Sequence, residues 1–90
     1  MKVTPTKAFV RDLKRLSSLD AEAAISALQM FVDTPSLPRL NFEKVKHRSG
    51  YFTIRASYSV RILMSETAPK EFDAVAIGNH DYIYASYFKK

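Results

Sequence analysis

The sequence predicts one α+β domain over residues 1–90. An N-terminal strand and an αα-hairpin are expected to pack on one face of a twisted, mainly antiparallel sheet of four or so strands. Three observations predict it. Ninety residues hold one core and leave no room for a second. Apolar residues recur at helical spacing from Phe9 to Val32, then at a spacing of two from Phe52 to Met64. Runs of helix followed by runs of strand, joined by short turns, make an α+β pattern with antiparallel neighbours.

Val3 is the apolar residue of a short opening strand that ends at Pro5, and Thr4 or Thr6 caps the helix that follows. Phe9, Leu13 and Leu16 share one helical face, with Lys7, Arg11, Lys14 and Arg15 on the others. Ser17-Ser18-Leu19-Asp20 separates this helix from the next, with Asp20 as the expected N-cap and Glu22 near the positive end of the dipole. Ala24, Ile25, Leu28, Phe31 and Val32 form the second apolar stripe. Asp33-Thr34-Pro35 stops it, because proline cannot continue the hydrogen-bond ladder.

Residues 35–41, with Pro35 and Pro38, read as a loop, and Phe42 with Val45 marks a short strand. Phe52, Ile54 and Ala56 then point one way, Thr53 and Arg55 the other. Ser57-Tyr58-Ser59 is a tight turn. After it Val60, Ile62 and Met64 face the core, and Arg61 and Leu63 face away. Residues 65–71, polar and containing Pro69, read as a second turn, and Phe72–Ile77 as the last strand. Gly78-Asn79 ends that strand, and an aromatic tail follows over residues 82–88.

The chain has no cysteine, which excludes a disulfide framework, a thiolate metal site and a cysteine nucleophile. With two histidines, a His-rich metal site is not expected, nor is any cofactor. No apolar run approaches the roughly 20 residues of a spanning helix, and Met1–Pro5 leads into charged amphipathic sequence rather than a signal peptide. An intracellular protein without a membrane partner is therefore expected. The formal net charge of +5 is uneven. Residues 41–61 carry Lys44, Lys46, Arg48, Arg55 and Arg61 against Glu43 alone, a net of +4. A phosphate-rich partner is one reason for such a concentration, and an ordinary solvated face is another.

Direction along the strands gives the charge a place. If Val60, Ile62 and Met64 lie under the helices, Arg61 projects from the opposite face, and so does Arg55 on its partner strand. Two guanidinium groups on one sheet face make a phosphate cradle. His80 follows the Gly78-Asn79 break, and one helical turn over residues 80–84 would put Tyr84 on the same side. With Glu43, such a set suits cleavage of an RNA phosphodiester. A carboxylate and a histidine supply two proton transfers, and arginine stabilises charge on the phosphorane. Each residue also has a plainer reading. Glu43 can pair with Lys46 or an arginine, Arg61 can pack its stem on the sheet, and His80 can cap a turn. Lys44, Lys46 and Arg48, spaced by two, would line one strand edge, either binding phosphates or guarding that edge from pairing.

The sequence resembles the RelE/ParE superfamily of type II toxin–antitoxin toxins, nearest its RelE/YoeB-like mRNA interferase branch. The resemblance runs through Leu40–Lys46, Ser49–Arg55, Val60–Leu63 and Ile77–Tyr84. It implies a ribosome-associated, metal-independent mRNA endoribonuclease acting in the cytoplasm, with mRNA, the ribosome and a cognate antitoxin protein as partners. It also implies roles: Glu43 as general base, Arg61 as phosphate and transition-state stabiliser, His80 as general acid, and Tyr84 orienting the substrate or assisting proton transfer. Lys44, Lys46, Arg48 and Arg55 would hold RNA phosphates. In RelE proper the hairpin carries two lysines and the C-terminal position is arginine. Here Thr53, Arg55 and His80 stand there, which favours a histidine acid. A ParE-like inhibitor of DNA gyrase and a catalytically inactive binding member remain as alternatives. Glu43 and Arg61 do not discriminate among them, whereas His80 with Tyr84 favours the ribonuclease.

Overall fold

The change of hydrophobic period near residue 42 divides the fold into a helical half and a sheet half. The computed structural model describes residues 1–88. The chain runs β1 (Lys2–Pro5), α1 (Lys7–Lys14), α2 (Ser18–Asp33), a 3₁₀ turn (Pro38–Leu40), β2 (Glu43–Lys44), β3 (Tyr51–Arg55), β4 (Arg61–Ala68), β5 (Glu71–Gly78) and a π-helical segment (Tyr82–Tyr87). The five strands form one sheet in the order β1-β5-β4-β3-β2. β1 lies parallel to β5, and the other neighbours are antiparallel. No helix among the described residues is long and apolar enough to cross a membrane.

Local chemistry sets the element ends. The Thr6 hydroxyl accepts the Phe9 amide at 3.2 Å and donates to the Ala74 carbonyl at 2.9 Å, so the cap of α1 is also a tie to β5. The cap of α2 is Ser17, whose hydroxyl accepts the Asp20 amide at 3.2 Å. This corrects the expectation for Asp20, which sits in the first turn and complements the helix dipole there. The turn between β4 and β5 is shorter than the polar composition suggests. Both strands extend to leave only Pro69 and Lys70 between them, with Lys70 in the left-handed region at φ 64°.

The sheet is covered on both faces. On the helix side, Phe9, Ala24, Ala27 and Phe31 bury Ile54, Val60, Ile62, Met64, Phe72, Ala74 and Ile77. Phe42 joins this side through ring contacts with Phe31, Phe52 and Phe72 at centroid distances of 5.1, 5.0 and 6.1 Å. Ile25 and Val32, expected in the buried stripe, are instead exposed. They flank an apolar groove between β1, α1 and α2 with Val10 and Leu28. On the other side, Val45, Leu63, Ala76 and Ile83 form a smaller core with Tyr51, Tyr87 and Phe88 around it. A bulge shifts the alternation within β5: Leu63 pairs with Ala76 but Met64 with Ala74, leaving Val75 as an extra residue. Ala74 thereby joins the helix-side core and Ala76 the opposite one.

Candidate functional site

Strand register puts two arginines together. Arg55 at the end of β3 pairs with Arg61 at the start of β4, which pairs with Gly78 at the end of β5. Cross-strand partners share a face, so both guanidinium stems leave the sheet on the side away from the helices. Glu43 belongs to the next row on that face, opposite Thr53. It is exposed at the sheet edge, two strands and two residues from Arg61, about 12 Å by strand geometry. Arg61 is only half-buried, and one of its terminal nitrogens donates to the carbonyls of Ser57 and Tyr58, each at 3.3 Å, and of Val60 at 3.5 Å. The arginine therefore clamps the β3–β4 turn, which it follows in sequence.

The C-terminal segment brings His80 to the same corner. The Asn79 side-chain oxygen accepts the Tyr82 amide at 2.7 Å, capping a turn that starts at His80. The Phe88 amide reaches the Ile83 carbonyl at 3.4 Å, the wider spacing of a π-turn. His80 and Tyr84 share one side of the turn, with ring centroids 4.4 Å apart and planes at 34°. The His80 Nδ1 lies 3.6 Å from a carboxylate oxygen of Asp81, and both side chains are well exposed. Arg61 and His80 line one shallow recess of about 240 Å³ with Tyr58, Ser59, Asn79 and Asp81.

The basic set does not gather as one strand edge. β2 ends at Lys44, and Lys46 and His47 fall in a turn where His47 takes φ 61°. The alternation expected for Lys44, Lys46 and Arg48 is thus broken. Lys44 pairs with Phe52, so it points to the helix side, away from Arg55 and Arg61. The Arg48 guanidinium sits 4.9 Å from the Phe88 ring centroid, a cation–π contact to the C-terminal segment. Lys44, His47 and Arg48 line a second recess with Tyr51 and Glu66.

Four residues outside the expected set position this corner: Asp12, Gly78, Asn79 and Tyr82. Asp12 of α1 is 3% exposed, and both its carboxylate oxygens accept the Tyr82 hydroxyl at 3.1 Å. One of them also accepts the Ile77 amide at 3.4 Å, and Arg11 Nε stands 3.6 Å from the other. Burial raises the Tyr82 pKa, and the Asp12 carboxylate adds to the rise. Gly78 makes the room: a Cβ there would stand 2.6 Å from a Tyr82 ring carbon. The Asp12–Tyr82 bond, the Gly78 gap and the Asn79 cap together fix the turn that carries His80. The Asn79 cap has a local sequence signal. The Asp12–Tyr82 bond joins residues 70 apart and has none.

Solved structures share this architecture. The RelE chain of the RelB–RelE antitoxin–toxin complex from Methanococcus jannaschii superposes with a TM-score of 0.73 at 23% identity, covering 94% of this chain and 98% of that one. This chain has the RelE toxin fold. The YoeB/ParE toxin from Agrobacterium tumefaciens matches at a TM-score of 0.69 and 18% identity, over 89% of this chain and 99% of its own. The DinJ–YafQ complex from E. coli matches at 0.72 and 11% identity, over 92% and 97%. No protein-family model matches the sequence, and no curated protein does. The RelE-like scaffold places the Arg61–His80 recess at the end of its central strands.

Proposed function

We propose that this protein is the toxin of a type II toxin–antitoxin pair and an mRNA endoribonuclease acting on the ribosome in the cytoplasm. The observation that carries the reading is the recess shared by Arg61 and His80, with the Tyr84 ring tilted against the histidine. Two of the similar structures are antitoxin–toxin complexes, which supports an antitoxin partner for this chain. Residues 1–90 act as one domain in this reading.

The chemistry is a transesterification. Glu43 takes the 2′-hydroxyl proton, a 2′-O–P bond forms, the P–O5′ bond breaks, and His80 in its protonated form gives its proton to the leaving 5′-oxygen. Arg61, with Arg55 beside it, stabilises the charge on the phosphorane oxygens. Across the sheet the order is Glu43, Arg55 and Arg61, with His80 beyond the end of β5, so the proposed base and acid flank the two arginines. Tyr84 holds the His80 ring. In this reading Arg48 and Lys46 would hold RNA phosphates, whereas Lys44 points to the opposite face of the sheet.

Translating ribosomes supplied with the protein test this. The expected result is message cut into 2′,3′-cyclic phosphate and 5′-hydroxyl ends. Intact message with gyrase-dependent DNA breaks would replace the reading with a ParE-like one. Intact message, intact DNA and normal growth on overexpression would leave a binding protein of the same fold.

A further inference from the structure

Tyr58 is a large aromatic residue left almost wholly in water. It is 93% exposed at the tip of the β3–β4 turn, although nearly every other aromatic ring of the chain is at least half covered. Two observations give the exposure meaning. Tyr58 lines the same recess as Arg61 and His80, and it is the one aromatic ring on that wall besides the His80 imidazole. Its backbone carbonyl accepts the Arg61 guanidinium at 3.3 Å, and the same nitrogen holds the Ser57 and Val60 carbonyls. The ring is therefore mounted on a turn braced by the residue that would meet the phosphate.

We infer that Tyr58 is a stacking platform for an unpaired base of single-stranded RNA, the nucleotide flanking the phosphate held at Arg61. The inference rests on the ribonuclease reading for its ligand. A flat, exposed ring on a braced turn beside an arginine is the combination that binds single strands, with the cation meeting the backbone and the ring taking a base face. Because every base has such a face, Tyr58 sets affinity and registers the strand without reading its sequence.

The chain has no tryptophan, so Tyr58→Trp creates a single fluorescent reporter at the platform. A short unpaired RNA oligomer should quench it, and the same RNA held in a duplex should not, because its bases stay stacked on one another. Tyr58→Ala should weaken binding of the single strand by about tenfold or more, and Tyr58→Phe should keep it. Equal quenching by single strand and duplex, or unchanged affinity in Tyr58→Ala, would overturn the inference. Its failure is separable from that of the ribonuclease reading. Message cut at the full rate by Tyr58→Ala, with unchanged RNA affinity, removes the platform and keeps the nuclease. Quenching without any message cleavage removes the nuclease and keeps the platform.

Discussion

Asp12 lies between Arg11 and Leu13 on a short helix, and nothing local marks it as a buried carboxylate. Its burial is tolerable because it accepts the Tyr82 hydroxyl and the Ile77 amide and has the Arg11 guanidinium nearby. Tyr82→Phe keeps the ring and removes one donor. We expect a loss of about 1–3 kcal/mol, seen in thermal denaturation as a fall of roughly 4–8 °C for each kcal/mol. The same variant should loosen the His80–Tyr84 ring contact, read as a change in the ring-current shifts of the His80 protons. Arg61 carries a different demand, because one guanidinium braces the turn and faces the recess. Arg61→Ala should lower message cleavage by about 10²–10³-fold in the ribosome assay. Arg61 and Arg55 were legible in the sequence, since strand alternation alone directs them to one face. Asp12 was not, because its partner is 70 residues away.

At the scale of elements, the β3–β4 hairpin was readable from its own residues, and the C-terminal segment only in part. Alternation within a hairpin is a local signal. β2 gives way after Lys44 to a turn in which His47 is left-handed, and β5 carries an extra residue at Val75, and neither leaves a local pattern. The seat of the C-terminal segment is set by Gly78. Gly78→Ala places a methyl against Tyr82 and should destabilise the protein by about 1–3 kcal/mol while displacing His80. Melting curves check the first effect and message cleavage the second. The segment is also sensitive to alkali. Burial, and then a hydrogen bond with Tyr51, push the Tyr87 pKa up to about 12. An unfolded tyrosine ionises near 10, so the stabilising preference for the neutral phenol is complete below pH 10 and is lost as pH rises toward about 12. Melting temperatures measured from pH 8 to 12 should fall across that window, and less steeply in Tyr87→Phe.

For the molecule as a whole, charge distribution decides how RNA is held. If Arg55 meets a phosphate, Arg55→Ala should make the salt dependence of single-strand binding shallower by about 0.7 in the log–log slope. Arg39, in the 3₁₀ turn remote from the recess, serves as the control and should leave the slope unchanged. The sheet with a core on each face has a last consequence. The larger core is built from both helices and three strands, while the smaller one depends on Ile83 and the rings of the C-terminal segment. Two such bodies on either side of one sheet need not melt together. Native-state hydrogen exchange should find the amides of residues 82–88 opening at lower free energy than those of β4 and β5. The corner bearing His80 would then be a separate cooperative unit, able to come apart and re-form while the helices and central strands stay folded beneath it.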